Sequence, residues 1–283
     1  PYVYEQFLVW SPQEGFTNAL YFGDPYTGVT FSSGILTFSS MSDYETLRGR
    51  LDQAYENHED GFFNTHSSLT DEQLDTQIDA TGFDENLPLQ VFEAYFGLSS
   101  LRASVEAGEQ AYLDGTLETD PDTECIVTDE IQRTLMNTSA QIKISGTTYT
   151  ASDYNPEGTC RLIQRRHQLY TNTAENRRTK VVIEFSGAYL GTSIIAKTKY
   201  FKLKSNGGWK KYPAVLRAQA GGGIYNSNCG DEDIFVTSFK PTKTKRRFVS
   251  KRFEPLAFRQ IQSGTMNSSH QANDGYYNLS ITW

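Results

Sequence analysis

The charged residues of this chain fall into two halves of opposite sign, which restricts how the halves can fold. Residues 1–125 contain 23 Asp and Glu but only three Lys and Arg, a net charge of −20. Residues 126–283 contain 23 Lys and Arg and 11 Asp and Glu, a net charge of +12, so the overall −8 conceals the division. Because like charges in one segment repel and opposite segments attract, we expect two parts that face each other or a charged partner.

The first half contains helical periodicity preceded by start signals. Ser42 and Glu45 have the spacing of a capping box, in which each side chain bonds to the other residue's backbone amide. Apolar residues on one helical face then predict an amphipathic helix over residues 41–55. These residues are Tyr44, Leu47, Leu51, Ala54 and Tyr55. Thr70 and Gln73 repeat the capping spacing and predict a second, shorter helix.

Two more helices are expected before the composition changes. One covers residues 89–96, and the other begins at Ser99 or Ser100. Residues 114–125 then lack apolar periodicity and are rich in Asp, Gly and Pro, which predicts a loop or linker. The acidic residues throughout this half are interpreted as solvated faces and loops.

Past residue 125 the apolar period becomes alternating. Ile142 and Ile144 alternate with polar residues up to a turn at Gly146, which predicts a β-hairpin. Further short runs continue to the end of the chain, at residues 179–185, 193–204, 209–219, 234–239, 247–258 and 276–283. Gly221-Gly222-Gly223 is interpreted as a flexible turn between two of them. Short strands separated by turns predict an antiparallel sandwich or partial barrel.

The predicted fold class is therefore α+β. An acidic region with helices occupies residues 1–125, and a basic, mainly antiparallel β domain that resembles a sandwich occupies residues 126–283. Apolar residues make up 37% of the chain and aromatic residues 13%, which is enough for a packed core. No stretch approaches 18 consecutive apolar residues, so we expect no transmembrane segment.

Four motifs follow one another between about residues 32 and 230. A strand enters a helix at residues 34–55, Phe96-Gly97-Leu98-Ser99-Ser100-Leu101-Arg102 starts another helix, and residues 129–137 lead to the hairpin at 141–149. This order resembles uncharacterised exported proteins and lipoproteins of Bacteroidota, whose patterns F-x-S-L-R and I-x-I-G-D-x-x-Y are similar to the second and last motifs. The hairpin departs from the pattern at Ser145-Gly146-Thr147.

The resemblance implies an extracytoplasmic setting, at the cell surface, secreted or periplasmic, and implies no activity. The lipid-bearing cysteine that such lipoproteins carry at their mature start does not appear at Pro1. Whether a signal or lipid anchor precedes Pro1 stays open.

The sequence contains no catalytic signature. The four histidines, His58, His66, His167 and His270, lack the short spacings of metal sites and are interpreted as packing or surface residues. No Gly-x-Ser-x-Gly, Ser-x-x-Lys or phosphate-binding loop is present. The chain is therefore predicted not to be an enzyme, with no catalytic, cofactor-binding or metal-binding residues. A carboxylate-based hydrolase is the third hypothesis, because the acidic half offers many carboxylates.

Two acidic groups resemble calcium ligands only in part. Asp231-Glu232-Asp233 and the alternating Asp120, Asp122 and Glu124 offer oxygens, but the alternating acids lack the glycine and distal glutamate of an EF-hand. We interpret both groups as solvated loop acids.

The strongest basic run covers residues 243–253, where Lys and Arg are interleaved with Phe248 and Phe253. Such a run can bind nucleic acid through phosphate contacts and base stacking. It also fits a strand whose polar positions are basic, and the acidic half supplies a nearer counter-charge. Nucleic acid is therefore not the expected partner.

Three cysteines, Cys125, Cys160 and Cys229, allow at most one internal disulfide. Their pairing stays open, because one bridge fits an oxidising compartment and three free thiols fit a reducing one. No Cys-x-x-Cys and no Cys/His cluster occurs, which argues against a structural zinc site.

Two functions remain. The first is an interaction or structural subunit of a cell-surface or secreted assembly. In this function the chain binds protein partners or self-assembles, and aromatic residues at both termini contribute as strands or as docking segments. These aromatic residues are Tyr2, Tyr4, Phe7, Trp10, Tyr276, Tyr277 and Trp283. The alternative is that both termini are strands of the protein's own sheet. The second function is a glycan-binding module, because Tyr and Trp faces stack on sugar rings.

Overall fold

The computed structural model describes residues 4–6, 21–22, 26, 28–125, 127, 129–151, 163–186, 193–225, 234–246, 248–253, 263–273 and 275–282. The chain forms two compact units. The first comprises Pro1–Glu109 and Val127–Thr150, and the second comprises Gln110–Ile126 and Ala151–Trp283. Compared with the predicted regions 1–125 and 126–283, residues 110–126 pack with the second unit and residues 127–150 with the first.

Six helices lie within the described residues, all of them before the long strands. They are α1 (Met41–Thr65), α2 (Asp71–Thr81), α3 (Leu87–Phe96), α4 (Leu101–Leu113), α5 (Pro121–Glu124) and α6 (Glu130–Leu135). Helix α4 begins in the first unit, and its last residues belong to the second. No helix of the described residues is long and apolar enough to cross a membrane.

Helix α1 begins at a different cap from the predicted one. Ser40 has an extended backbone, and its hydroxyl accepts a bond from the Asp43 amide at 3.1 Å and donates to the Asp43 carboxylate at 2.7 Å. The prediction that Ser42 and Glu45 form the cap was wrong, because Ser42 already lies in the first helical turn. The helix also continues past residue 55 to Thr65, because Phe62 and Phe63 remain buried and extend the apolar face.

The second predicted cap is confirmed. The Thr70 amide donates to the Gln73 side chain at 2.9 Å, and the Gln73 amide donates to the Thr70 hydroxyl at 3.3 Å. Helix α2 ends at Gly82, whose φ of 66° lies in the left-handed region that favours glycine. Leu74 and Ile78 of α2 pack with the buried rings of Phe62, Phe63 and Phe83.

A four-stranded sheet accompanies the helices in the first unit. Its strands are β3 (Val29–Ser32), β4 (Ile35–Phe38), β5 (Gln141–Ile144) and β6 (Thr147–Thr150), in the order β3-β4-β5-β6. Strands β4 and β5 are parallel, and β5 and β6 form the predicted hairpin. Ser145 and Gly146 both have positive φ, as a two-residue hairpin turn that matches the strand twist requires. Short strands β1 (Tyr4–Gln6) and β2 (Tyr21–Phe22) form a separate pair.

The second unit contains two antiparallel sheets. The five-stranded sheet comprises β7 (Ile163–Asn172), β8 (Arg177–Ser186), β9 (Ser193–Leu203), β10 (Trp209–Lys211) and β13 (Phe248–Phe253). The four-stranded sheet has the order β12-β11-β14-β15 and comprises β11 (Ala214–Tyr225), β12 (Ile234–Arg246), β14 (Ser263–Ala272) and β15 (Gly275–Thr282).

One apolar core joins these two sheets. Alternate residues of β8 and β9, including Val181, Ile183 and Ala196, pack against β11 and β14 residues such as Leu216 and Met266. Alternation places the remaining residues of β8 and β9 on the opposite face of the five-stranded sheet. The predicted α+β class, with antiparallel, sandwich-like packing in the later part of the chain, is confirmed.

Gly221-Gly222-Gly223 is not the predicted turn. All three glycines lie inside β11 and pair with β12 on one side and β14 on the other. A Cβ atom on Gly222 would lie 2.1 Å from the Thr265 carbonyl oxygen. A side chain cannot fit there, so glycine permits the close approach of two strands rather than a turn.

The described C-terminal residues form a strand of the protein's own four-stranded sheet. Tyr276 and Tyr277 belong to β15, which pairs with β14 along its whole length. This pairing is the alternative that the sequence left open for the aromatic termini. Tyr4 lies in β1, whereas Tyr2, Phe7, Trp10 and Trp283 lie outside the described residues. Cys160 and Cys229 also lie outside them, and Cys125 is half-buried with a free thiol.

Candidate functional site

An acidic segment packs on the second unit, and we call residues 110–125 the strap. Its charged residues are all acidic, namely Asp114, Glu118, Asp120, Asp122 and Glu124. Within it, Pro121 starts the short helix α5, and the Asp120 carboxylate accepts a bond from the Asp122 amide at 3.0 Å. Proline suits the first helical position, and aspartate suits the cap before it. The Asp120-Pro121-Asp122 sequence therefore fixes the directions of two carboxylates.

The surface that the strap contacts carries three lysines, which we call the lysine face. Lys180 lies on β8 and is paired in register with Lys199 on β9, while Lys197 lies two residues before Lys199. The two-residue period of strands places all three on the side opposite the apolar core. All three are buried, between 1% and 4% exposed.

The three lysines converge on one carboxylate. Lys180 Nζ lies 2.7 Å and Lys199 Nζ 2.9 Å from Asp122 Oδ2, and Lys197 Nζ lies 3.6 Å from Asp122 Oδ1. Lys180 also reaches Asp120 Oδ2 at 2.6 Å. Because a buried charge is costly unless it is paired and hydrogen-bonded, these groups hold one another in place. The lysine face is therefore a binding site for a carboxylate, occupied by Asp122.

An arginine also binds the backbone of the strap. The Arg165 guanidinium of β7 donates to the carbonyl oxygens of Thr123 and Cys125 at 2.7 and 2.5 Å. Its Nε bonds to the carboxylate of Glu184, which is fully buried on β8. Since Glu184 fixes the guanidinium plane, the remaining donors point at two carbonyl oxygens at the end of α5.

An apolar contact holds the N-terminal end of the strap. Leu113 forms a small cluster with Phe201 of β9 and Trp209 of β10, both of which are buried. Beside it, the Asp114 carboxylate accepts a bond from Lys204 at 2.7 Å, which lowers the pKa of Asp114. This ion pair is solvent-exposed and contributes little to stability.

The interpretation of the strap acids as solvated was wrong for two of the three alternating residues. Asp122 is 3% exposed and Asp120 is half-buried, whereas Glu124 is exposed as expected. One signal was available in the sequence. The outward positions of β8 and β9 mix the lysines with Val182, Ile195 and Phe201, and apolar residues on both faces of a strand indicate that both faces are covered.

An open cleft of about 390 Å³ lies between the strap and β7. Glu118 and Glu124 line it from the strap, and His167, Gln168 and Leu169 line it from β7. All five side chains are exposed. Partial desolvation at the cleft wall lowers the pKa of His167, and the charges of Lys180 and Arg165 lower it further, which favours the neutral imidazole. The cleft thus presents carboxylate, amide, imidazole and apolar groups on one accessible surface.

The histidines of the first unit take part in packing. His58 is buried, its ring stacks on Phe83 at 5.0 Å, and its Nε2 lies 2.9 Å from the Asp84 carbonyl oxygen. Burial lowers the pKa of His58. His66 Nδ1 lies 2.9 Å from the Phe62 carbonyl oxygen at the end of α1. The structure does not bring these two rings to a shared ligand position.

His270 lies in a buried polar network inside the sandwich. Its Nδ1 lies 2.9 Å from the Thr198 hydroxyl, and its Nε2 lies 2.7 Å from the Ser268 hydroxyl. Thr198 donates its own proton to the Arg217 carbonyl oxygen, so the imidazole is the donor to Thr198. Burial lowers the pKa of His270 to about 4. The network links β9, β11 and β14 and is nearly inaccessible to solvent. This inaccessibility indicates a structural role.

The Phe96–Arg102 motif has a structural explanation in the first unit. Ser100 caps α4 by accepting a bond from the Ala103 amide at 3.0 Å, and it also bonds to the Glu93 carboxylate. Arg102 donates to both oxygens of Glu93, at 2.8 and 2.5 Å, and to Glu106. Burial opposes the charge of Arg102, but these bonds raise its pKa. The motif therefore fixes the joint between α3 and α4.

Several sequence candidates cannot be placed in this way. Asp231-Glu232-Asp233 lies outside the described residues. The basic run at 243–253 lies along strands β12 and β13, whose side chains are not among those that the structure describes. Among the described residues, no group of three or more His, Cys, Asp or Glu is arranged to hold a metal ion.

Comparison with known proteins finds weak similarity to solved structures. No protein-family model matches the chain, and no curated protein matches it. A DUF4848 family protein from Bacteroides thetaiotaomicron is 10% identical, with a TM-score of 0.21, covering 89% of this chain and 100% of its own. At that TM-score the similarity carries no argument about fold or function. This chain is thus similar, weakly, to a protein from the Bacteroidota.

Proposed function

We propose that this chain is a non-catalytic interaction or structural subunit of an extracytoplasmic assembly, at the cell surface or secreted. The observation that carries the proposal is the open cleft between the strap and β7, which presents exposed carboxylate, amide, imidazole and apolar side chains. Protein interfaces combine polar groups that hydrogen-bond a partner with apolar contacts, and this cleft offers both. The lysine face is filled by Asp122 and holds the strap that forms one wall of the cleft.

The buried titratable side chains support an interaction role, because each one described above has a structural partner. Asp122 is held by lysines, Glu184 by Arg165, and His270 by two hydroxyl groups. The accessible groups of the same unit line the cleft instead. The extracytoplasmic setting rests on the resemblance of the motifs at residues 96–102 and 141–149.

Native extraction tests this proposal. The full chain, extracted under mild conditions and separated by size, is expected to elute in a complex larger than its own 31.9 kDa, with components identified by mass spectrometry. Leu169→Glu places a charge in the cleft and is expected to weaken the complex. Tyr276→Glu is the matched control, because Tyr276 is 72% exposed on β15, away from the cleft. A solitary 31.9 kDa species would contradict the proposal.

A glycan-binding module is the second candidate, favoured by the composition of the cleft. Tyr112 offers a ring beside Glu118, Gln168 and His167, and sugar sites combine an aromatic face with polar groups that bind hydroxyls. A glycan array with the purified chain tests this reading. Binding that is lost in Tyr112→Ala and kept in Tyr112→Phe would support stacking on the ring, and the absence of any binding would exclude it.

A further inference from the structure

Strand β7 forms one edge of the five-stranded sheet. Within the described part of the chain it pairs with β8 alone, along its whole length from Ile163 to Asn172. No backbone hydrogen bond joins these residues to any other described segment. Alternate N–H and C=O groups of an edge strand point away from its one neighbour, so β7 presents a row of backbone groups that another strand can bond.

The cleft between the strap and β7 reaches this edge. His167, Gln168 and Leu169 are consecutive residues, and all three line the cleft. Because consecutive side chains of a strand point to opposite faces, a cleft that touches all three extends around the edge of β7. Leu169 is paired in register with Lys180, which places His167 and Leu169 on the face where the strap packs. A ligand in the cleft can therefore contact the backbone edge of β7.

The carboxylates of the cleft are not balanced by cations. Asp120 and Lys180 both line the cleft, but their charges are paired with each other at 2.6 Å. Glu118 and Glu124 are exposed, and neither forms a hydrogen bond or an ion pair with another described residue. The half-buried ring of Tyr112 also lines the cleft, and an aromatic face attracts a cation. The cleft therefore favours a positively charged ligand.

The arginines of β7 are directed away from such a ligand. Arg165 is bonded to Glu184 and to the strap backbone. Arg166 lies on the opposite face of the strand from His167, and its Nη1 donates to the Ser280 carbonyl oxygen at 2.9 Å. The lowered pKa of His167 favours its neutral ring on the side of the cleft. The two unpaired glutamates therefore dominate the charge of the cleft.

We propose that the cleft binds an extended segment of a partner protein that carries lysine or arginine side chains. The segment adds a strand to the edge of β7, and its basic side chains bond to Glu118 and Glu124. In this binding mode the main-chain bonds supply affinity, and the contacts of alternate side chains supply specificity. The inference rests on the proposed function as an interaction subunit and specifies the chemistry of the partner.

A library of random ten-residue peptides displayed on phage tests the charge preference, with the purified full-length chain as target. We expect the enriched peptides to carry Lys or Arg at alternate positions. Replacing both glutamates, by Glu118→Gln and Glu124→Gln, should weaken the binding of an enriched synthetic peptide roughly tenfold, because two ionic contacts are lost. Both side chains are exposed, so the fold should be unaffected.

Glu175→Gln is the charge control for this experiment. Glu175 is an exposed acid in the turn after β7 and does not line the cleft, so its replacement should leave peptide affinity unchanged. Enriched peptides without an excess of Lys and Arg, or equal affinity for the chain with both glutamates replaced, overturn the inference. A chain that binds members of a glycan array but no peptide overturns it too.

Amide hydrogen exchange tests the addition of a strand. Outward amides of residues 163–172 should exchange at least about tenfold more slowly with the peptide bound, because they gain hydrogen-bond partners. The peptide is also made with alternate backbone amides methylated, in each of the two registers, which keeps its charges and removes its outward donors. At least one methylated peptide should bind about tenfold more weakly. Equal affinity of both, or unchanged exchange in β7, overturns the strand addition.

Native extraction separates this inference from the proposed function. The unaltered chain is compared with the chain that carries both Glu118→Gln and Glu124→Gln. Loss of the complex in the altered chain supports the inference, and a complex that persists unchanged overturns the inference alone. A solitary 31.9 kDa species from the unaltered chain overturns the proposed function, and the partner inferred here with it.

Discussion

Asp122 is the residue that joins the strap to the sandwich. One carboxylate accepts bonds from lysines on two adjacent strands, and each of those lysines is itself buried. Removing the carboxylate charge leaves ammonium groups in a site from which water is largely excluded, so the cost exceeds that of a lost surface ion pair. Asp122 therefore acts through the lysines that it neutralises.

Replacing Asp122 by asparagine is expected to destabilise the protein by roughly 3 kcal/mol, the scale measured when one partner of a buried ion pair is removed. Glu118→Gln changes the charge equally but lies on the exposed cleft wall, so its effect should stay within about 0.5 kcal/mol. Urea unfolding followed by circular dichroism compares the two variants with the unaltered chain. Equal effects would show that the lysine face contributes no specific stability.

His270 makes stability depend on pH. Its pKa in the folded protein is about 4, below the ordinary 6.5, because burial disfavours the imidazolium. Between these values the unfolded chain binds a proton that the folded chain does not, so the free energy of unfolding decreases as pH falls from about 6.5 to about 4. At 1.4 kcal/mol for each pH unit, the loss reaches about 3 kcal/mol.

Urea unfolding at pH 7, 6 and 5 measures this dependence. His58 and His167, whose pKa values are also lowered, contribute in the same direction. His270→Gln should flatten most of the slope, whereas His167→Gln, on the exposed face of β7, should retain most of it. A slope unchanged by His270→Gln would mean that His270 does not titrate as its burial implies.

At the scale of elements, helix starts and close strand contacts determine which segments fold where. Helix α2 begins at the reciprocal bonds of Thr70 and Gln73, and α1 begins at Ser40. Strand β11 lies against β14 because Gly222 has no side chain. Each of these features depends on one residue, and each can be changed without altering charge.

Thr70→Ala removes the capping hydroxyl of α2 and is expected to cost about 1 kcal/mol. Thr76→Ala is the matched control, because Thr76 lies on the exposed side of the same helix and alanine favours helix there. Thermal unfolding of the two variants should therefore shift in different directions. A midpoint for Thr70→Ala equal to or above that of Thr76→Ala would contradict the cap.

Gly222→Ala is expected to destabilise the sandwich by roughly 1–3 kcal/mol, because its Cβ would overlap the Thr265 carbonyl oxygen and one of the strands must shift. Gly61→Ala provides the comparison. Gly61 lies inside α1 with open space around its Cβ position, so alanine should stabilise the helix by up to about 1 kcal/mol. Denaturant midpoints that move together would indicate that β11 and β14 tolerate a side chain.

The sequence predicted the elements whose apolar period is regular and missed those that depend on polar burial. Helix α2 and the β5–β6 hairpin have local signals, and both are confirmed. Strand β14 lacked an apolar period because its inward residues include Ser268 and His270, which satisfy each other. Strand β7 was missed because its residues around Arg166 and Gln168 are polar and exposed. The cap at Ser40 was misplaced because serines two residues apart offer equivalent signals.

The candidate site was harder to predict, because its parts are distant in sequence. Asp122 and Lys199 are 77 residues apart, and only the pairing of β8 with β9 brings the lysines together. Alternating acids in a loop rich in Asp and Pro are usually solvated, and nothing local distinguishes Asp122 from Glu124. Only the combination of lysines and apolar residues on one strand face indicated a cover.

At the scale of the whole molecule, docking of the strap explains part of the division of charge between the two halves of the sequence. The negative half of the sequence includes residues 110–125, and the structure places this segment on lysines that the positive half provides. The attraction between segments of opposite sign, expected from the sequence, is thus realised within the second unit.

Amide hydrogen exchange on the strap tests this account most directly. Peptides from residues 110–125 should be protected in the unaltered chain and should exchange at least about tenfold faster in Asp122→Asn, as a local opening of about 1.4 kcal/mol or more implies. Glu118→Gln should leave them unchanged, and β8 should stay protected in all three proteins. Equal strap exchange in Asp122→Asn and the unaltered chain would contradict the claim that the lysine face holds the strap.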